Sequence, residues 1–295
     1  MKTYHINELE QLTGIKAHTI RIWEKRYNLV TPERTTTNRR NYDDDQVRKL
    51  LNVATLLSQG FKISKIAALS ENEINTQLQK EVRNETKDNI AAAHINDLIK
   101  SMITFDERSF EKVFSAAVLR FGFYETMLQV VYPFLNKTGI LWAVDKTAPV
   151  QEHFAINIIN RKILAATDGL MPHTVKGQKF LLFLPQNEWH EIGLLFANYI
   201  IRSRGHETIY LGQNVPYSNI HSIAPLINPD YMLLFYVAPK HKTDIKQNIK
   251  DLAQKHKNIK ILIAGNMDLL QHNESNFKNV TYLTDVNSLM EYLHN

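Results

Sequence analysis

The sequence predicts a multidomain protein with α and α/β parts: an N-terminal winged helix-turn-helix, a central helical bundle and a C-terminal doubly wound parallel sheet. Three observations predict this order. Residues 1–70 carry 12 Lys and Arg against 7 Asp and Glu, whereas residues 71–295 carry 23 of each. Apolar residues recur three and four positions apart through the middle of the chain, which indicates helices. From Lys179 onward short apolar runs alternate with helical stretches, which is typical of a parallel sheet.

The composition excludes several classes of protein. The 295 residues suffice for two or three domains with cores of their own. No apolar run reaches the roughly 18 residues that a membrane-spanning helix needs, and the N-terminus lacks the apolar core of a signal peptide. The chain has no cysteine, which excludes disulfides, thiolate metal sites and cysteine nucleophiles. We therefore expect a cytoplasmic protein that does not bind membranes.

Residues 1–75 are the predicted DNA-binding domain. The segment "INELEQLTGIKAHTIRIWEKRY" reads as two short helices separated by a turn at Gly14. This is the helix-turn-helix layout, whose second helix enters the major groove. Ile20, Trp23 and Tyr27 repeat at helical spacing and should face the core, which leaves basic residues on the opposite face. An arginine-rich loop or small hairpin after Pro32 is expected as a wing on the phosphate backbone. An ordinary solvated basic surface explains the charge alone equally well.

A resemblance to a known family makes the prediction for residues 1–75 more specific. The segment "HINELEQLTGIKAHTIRIWEKRYNLVTPERTTTNRRNY" resembles the DNA-binding head of MerR-family transcription regulators. Its "TIRIWEKRY" form is typical of the subgroup that includes the light-responsive cobalamin regulators. The resemblance implies a head that binds double-stranded promoter DNA as a dimer. The residues predicted to bind DNA are His18, Thr19, Arg21, Lys25, Arg26, Arg34, Arg39, Arg40 and Tyr42.

Residues 76–90 are predicted as a linker, and residues 91–175 as an antiparallel four-helix bundle that caps the sensor. Within the bundle, Trp142 precedes the pair Glu152 and His153 by ten residues. A core aromatic followed by a polar helix start explains this spacing without a ligand. The spacing also resembles the bundle of the cobalamin photoreceptor regulators. That resemblance implies that the three side chains line the upper face of the cofactor.

Residues 176–295 are the predicted Rossmann-like domain, with strands at "KFLLFLP", "TIYLG", "YMLLFYV", "KILIAG" and "NVTYL". Ligands of such sheets bind outside the carboxyl ends of the strands, where "NEWHEIG" follows the first strand. His190 in that segment is a helix cap, a general base or a metal ligand. Glu188 favours the ligand, because a carboxylate commonly orients a ligating imidazole through its other ring nitrogen.

The segment "EWHEIG" resembles the Asp/Glu-x-His-x-x-Gly signature of cobalamin-binding domains, which implies that His190 ligates cobalt. The spacing to the next family motifs is kept, with 41 residues between Gly193 and Phe235 and 27 between Val237 and Gly265. The residue types depart, because Phe235 replaces serine, Val237 replaces leucine and Asn266 replaces glycine where the cofactor's nucleotide tail is expected. The cofactor-binding residues predicted here are Glu188, Trp189, His190, Glu191, Gly193, Gly212, Phe235, Val237, Gly265 and Asn266.

These patterns predict a transcription regulator rather than an enzyme. By resemblance it is a repressor and photoreceptor, in which adenosylcobalamin controls DNA binding and assembly into dimers or tetramers. Ala143 stands where the light-sensing relatives carry a histidine that captures cobalt after photolysis. Two alternatives stay open. One is a regulator whose sensor is independent of cobalamin and responds to a partner protein, as Phe235 and Asn266 suggest. The other is a corrinoid carrier or enzyme, which the basic head disfavours.

Overall fold

The computed structural model describes residues 4–34, 40–58, 60–70, 73–74, 87–138, 150–171, 177–238, 245–271 and 277–293. The chain forms two compact units, residues 1–155 and 156–295. Their boundary falls inside the helix Val150–Asp168. This division differs from the predicted segments 1–75, 76–90, 91–175 and 176–295, because head and bundle count as one unit. The predicted boundaries stay a prediction.

The head is a helix-turn-helix followed by a two-stranded wing. Its elements are α1 (Ile6–Thr13), α2 (Ala17–Tyr27), β1 (Glu33–Arg34), β2 (Arg40–Asn41), α3 (Asp44–Ser58) and α4 (Ile63–Ile66). Helix α1 ends at Gly14, whose φ of 72° is the left-handed conformation that glycine adopts without strain. The strands β1 and β2 pair in antiparallel register, with Arg34 opposite Arg40. The predicted winged helix-turn-helix is confirmed.

The bundle consists of α5 (Lys87–Ile103), α6 (Glu107–Phe121), α7 (Phe123–Thr126), a π-helical stretch (Met127–Val131), α8 (Tyr132–Thr138) and α9 (Val150–Asp168). Helix α5 begins inside the predicted linker. Its buried Asn96 donates a 2.7 Å hydrogen bond to Thr55 of α3, which joins bundle and head within their unit. The predicted helical bundle is confirmed. Residues 139–149, which include Trp142 and Ala143, lie outside the described residues.

The second unit contains a parallel five-stranded sheet with the order β4-β3-β5-β6-β7. The strands are β3 (Lys179–Pro185), β4 (Glu207–Val215), β5 (Tyr231–Tyr236), β6 (Lys260–Gly265) and β7 (Val280–Tyr282). The helices are α10 (Ile192–Ser203), α11 (Tyr217–Ile227), α12 (Ile245–Lys255), α13 (Met267–Gln271), α14 (Val286–Met290) and the 3₁₀ turn Glu291–Leu293. The interior strands read as continuous apolar runs because both of their faces are buried. The predicted parallel sheet is confirmed.

The direction of winding reverses between β3 and β5. The chain goes from β3 outward to the edge strand β4, and then returns to β5 on the other side of β3. The segments that follow β3 and β5 therefore diverge and leave a crevice at their carboxyl ends, where ligands of such sheets bind. Among the described helices, we find none with the length and apolar character to cross a membrane.

Candidate functional site

The loop after β3 is held by hydrogen bonds at both ends. The N–H of Glu188 donates to the carbonyl of Pro185 at 3.0 Å. Asn187 adopts a φ of 70°, and its N–H donates to the side chain of Asn214 at 2.8 Å. The N–H of Asn214 in turn donates to the carbonyl of Glu188 at 3.2 Å. The neighbouring strand β4 therefore fixes the backbone from which the next side chains project.

The Glu188 carboxylate bridges the crevice between β3 and β5. Its side chain is 0% exposed. One carboxylate oxygen accepts from the N–H groups of Val237 and Ala238, just beyond β5, at 2.8 and 2.9 Å. The other accepts from the N–H groups of Trp189 and His190 at 2.9 and 3.1 Å. A buried carboxylate is tolerated because every donor around it is directed at it.

This carboxylate is held in its ionised form. Burial raises the pKa of Glu188, but the hydrogen bonds from His190 and Val237 and the proximity of the imidazole outweigh it and lower the pKa below its ordinary value. A fixed negative charge therefore lies beneath the loop.

His190 is oriented by that charge. Its Nδ1 lies 2.6 Å from Oε1 of Glu188, while its side chain remains 37% exposed. Within the described part of the chain, no hydrogen bond reaches its Nε2. With the proton on Nδ1, Nε2 presents a lone pair at the mouth of the crevice. The helix-cap interpretation is wrong, because Glu191 rather than His190 occupies the N-cap of α10.

Among the described residues, this site offers a metal ion a single ligand, His190. The described residues include no group of three or more His, Cys, Asp or Glu that could hold a metal ion. A bare divalent ion needs several protein ligands, whereas one oriented imidazole suits a metal whose other positions a macrocycle already fills. The donor set therefore fits a corrin-held cobalt and does not fit a free ion.

Glu191, beside His190, is bonded to strand β4 on either side of Gly212. Glu191 accepts from the hydroxyl of Tyr210 at 2.7 Å and from the amide of Gln213. An irregularity in the pairing of β3 with β4 places Gly212 at a φ of 78° there. The observed geometry thus gives both residues local roles, and their cofactor contact stays a prediction. The Trp189 side chain is exposed next to His190.

Phe235 packs on the first turn of α10. A Cβ placed on Gly193 would lie 2.9 and 3.0 Å from two ring carbons of Phe235. The phenyl ring of Phe235 therefore leaves little room for a side chain at position 193. The predicted contact of Phe235 with the nucleotide tail of the cofactor stays a prediction.

Gly265 and Asn266 also have local roles. A Cβ on Gly265, at a φ of 129°, would lie 2.0 Å from the carbonyl oxygen of Tyr236, so only glycine fits beside β5. Asn266 donates from its N–H to the same carbonyl at 2.8 Å, and its side chain accepts from the N–H of Leu269 at 3.3 Å. These contacts explain both residues without a ligand, and their predicted cofactor role stays a prediction.

The residues predicted to line the upper face of the cofactor lie in different environments. Glu152 is buried in the first turn of α9, whereas the adjacent His153 is exposed. Trp142 lies outside the described residues. Their predicted contact with the cofactor stays a prediction.

Helix α2 presents a basic face. His18, Arg21, Lys25 and Arg26 are exposed on it, Thr19 is half-buried, and Arg34 is exposed on the wing. Arg39 lies outside the described residues. Arg40 is partly engaged, since its Nε donates to Glu24 at 2.9 Å.

The prediction that Tyr42 contacts DNA is wrong. Its ring is fully buried, because backbone pairing with Tyr4 turns it into the core of the head. Its hydroxyl donates to Glu24, and burial and this carboxylate raise its pKa. Tyr42 therefore positions the wing from behind. Sequence patterns gave no signal for Glu24, which fastens both Arg40 and Tyr42 to α2.

Comparisons with known proteins agree with this geometry. The sequence model of the MerR HTH family regulatory protein matches residues 4–73. The model of the B12 binding domain matches residues 94–166. The chain joins a MerR-type head to a B12 binding domain. The second match covers the bundle and not the sheet. The role of the sheet in cofactor binding is therefore supported by the geometry around His190 alone.

Two curated relatives span most of the chain. The HTH-type transcriptional repressor CarH of Myxococcus xanthus is 28% identical over 261 residues, which cover 86% of this chain and 85% of the relative. The repressor CarA of the same organism is 24% identical over 266 residues, covering 89% and 86%. Both relatives are named as transcription repressors, which agrees with the prediction of a regulator rather than an enzyme or carrier. The monomethylamine corrinoid protein of Methanosarcina barkeri aligns over 70% of this chain and 96% of its own, at 9% identity and a TM-score of 0.49, too low to support an inference.

Proposed function

We propose that this chain is a transcription repressor that binds double-stranded promoter DNA through its head and a cobalamin through its sensor, with His190 as the lower axial ligand of cobalt. The observation that carries the proposal is the fully buried, ionised Glu188, which holds His190 with Nε2 directed outward at the switch point of the sheet. A carboxylate on the far nitrogen fixes the tautomer and raises the basicity of a ligating imidazole.

The finer part of the proposal concerns the form of the cofactor. When bound, adenosylcobalamin supplies a cobalt–carbon bond that light breaks. The chain's own residues contribute the oriented imidazole and, at Trp189, an exposed indole beside it. Position 143 is alanine and would therefore supply no imidazole to the cobalt.

Cofactor binding would control DNA binding through assembly in the cytoplasm. A dimer or tetramer presents several basic heads to one promoter. Linking a second weak site raises avidity by about 10² to 10⁴-fold without any new contact. A ligand that stabilises the assembled form therefore changes promoter occupancy strongly.

The test is reconstitution in darkness. Full-length protein mixed with adenosylcobalamin should leave a gel-filtration column coloured, as a larger species, and should shift a promoter duplex only when loaded. His190→Ala should lose the colour. His221→Ala, a histidine of the same unit on α11 that lies outside the site, should keep it. Illumination should release the duplex. A colourless wild-type protein, or an unchanged spectrum in His190→Ala, would contradict the proposal.

Phe235 favours a second candidate, a MerR-type regulator whose sensor works without cobalamin and responds to a partner protein. Its ring lies against Gly193, where the nucleotide tail is expected. The two candidates differ in their response to Phe235→Ser. If the ring only narrows the channel, the variant should bind cobalamin more tightly while its affinity for cobinamide, which lacks the tail, stays unchanged. DNA binding that ignores both corrinoids in both proteins would support the second candidate.

A further inference from the structure

Ile22 is a large apolar side chain in the middle of the basic face of α2. It is 51% exposed, whereas Ile20 and Trp23, its apolar neighbours on the same helix, are buried in the core of the head. Single exposed apolar residues are ordinary on protein surfaces. Ile22 differs from such residues in its position at the centre of a basic helix face.

The neighbours of Ile22 on the helix surface are all polar or cationic. His18 lies four residues before it, Lys25 three after it and Arg26 four after it, and each is exposed. Residues at these spacings are side-chain neighbours on a helix. The isoleucine thus projects from the centre of the surface that positive charge directs toward a duplex.

The orientation of this surface is fixed from behind. Trp23 is buried, and Glu24 accepts hydrogen bonds from Arg40 and Tyr42 of the wing. Residues 20, 23 and 24 therefore hold α2 against the head, and Ile22 cannot turn inward without breaking these contacts.

The major groove has one apolar group on its base edges, the C5-methyl of thymine. The basic neighbours of Ile22 donate hydrogen bonds to phosphates and to guanine, but they cannot recognise a methyl group. We propose that Ile22 reads a thymine methyl in each half-site, and so acts as a specificity-determining residue of the head. This inference rests on the proposed DNA-binding function.

The test uses duplexes selected from random DNA by the full-length protein, with adenosylcobalamin in darkness and without it. Thymines of the selected duplex are then replaced one at a time by deoxyuridine, which lacks only the methyl. At one position per half-site, affinity for the wild type should fall about four-fold, the equivalent of burying one methyl. For Ile22→Ala the same replacement should have no effect. Leu119→Ala, an exposed leucine of the bundle, should behave as the wild type.

The possible outcomes distinguish a failure of the role proposed for Ile22 from a failure of the proposed DNA-binding function. If no duplex is recovered under either condition, the proposed function fails and the inference with it. If duplexes bind but no thymine shows a deoxyuridine effect that depends on Ile22, the inference alone is overturned. If Ile22→Ala weakens every duplex equally, the side chain contacts sugar or another subunit, and the inference is overturned as well. Circular dichroism of Ile22→Ala should match the wild type, because alanine favours the helix and the side chain is not in the core.

Discussion

Two carboxylates, a fully buried one in the sheet unit and a partly buried one in the head, each hold a functional side chain in place by different donors. Glu188 in the sheet unit holds His190, and Glu24 in the head holds Arg40. Neither needs to touch a ligand. Glu188 accepts from four backbone N–H groups besides the imidazole. Glu24 accepts from the side chains of Arg40 and Tyr42.

The two sets of donors give the two regions different rigidity. Backbone donors cannot rotate away, so the sheet edge holds His190 at one place, as a metal ligand requires. Side-chain donors can rearrange, so Arg40 can change its orientation relative to α2. The backbone-anchored site should therefore be intolerant of substitution, and the side-chain-anchored site should be tolerant.

The largest expected effect belongs to Glu188→Gln. Glutamine keeps one acceptor oxygen, but its NH₂ group meets either the two N–H donors beyond β5 or those of residues 189 and 190. Unfolding free energy should fall by about 2–4 kcal/mol, since donors in the interior lose a charged partner. Cobalamin affinity should fall about 10- to 100-fold. Urea unfolding and dark absorbance titration measure the two effects. If Glu188→Gln kept the unfolding free energy and the cobalamin affinity of the wild type, the expected intolerance of the Glu188 site to substitution would be contradicted.

The next effect tests the packing beside that loop. Gly193→Ala places a methyl within 2.9 Å of the ring of Phe235, so we expect the variant to lose about 1–3 kcal/mol of unfolding free energy. In a Phe235→Ser background the same change should cost much less, because the ring is gone. A double-mutant cycle gives the coupling between the two residues. Additive losses would mean that the ring does not lie on Gly193.

The sequence patterns predicted local features of the site, but they missed contacts between residues that are far apart in the chain. The strands "KFLLFLP" and "KILIAG" match β3 and β6, because a strand buried on both faces is a continuous apolar run. Strand β4 is longer than predicted, since its polar end follows the irregularity at Gly212. His190 and Glu188 are two residues apart, so one motif predicted their pairing. The donors at Val237 and Ala238 lie 49 and 50 residues from Glu188, and only the strand order brings them there.

A smaller effect is expected for the matched change in the head, Glu24→Gln. The amide can still accept from Tyr42 or Arg40, but it loses the charge that holds the guanidinium. DNA affinity should fall about three- to tenfold, the equivalent of roughly 1 kcal/mol, through a less ordered wing. Fluorescence anisotropy of a labelled duplex measures it. Cobalamin affinity should be unchanged, and Glu188→Gln should bind the duplex as the wild type does once adenosylcobalamin saturates it in darkness. A loss of DNA binding as large as that from deleting the wing would show that Glu24 is no more tolerant than Glu188.

The smallest effect is a dependence of stability on pH that the Glu188 carboxylate is expected to add. The pKa of Glu188 is lowered from its ordinary 4.5 in the folded protein. The unfolded chain therefore takes up its proton first as pH falls. The stability that Glu188 contributes is present above about pH 4.5 and is lost as pH falls through the folded pKa. Exposed carboxylates such as Asp106 and Asp285 also have lowered pKa values, but they are common to wild type and variant and cancel in a difference. The gap in unfolding free energy between wild type and Glu188→Gln should therefore shrink between pH 6 and roughly pH 3.5. A gap that stays constant would mean that Glu188 is not held ionised by its donors.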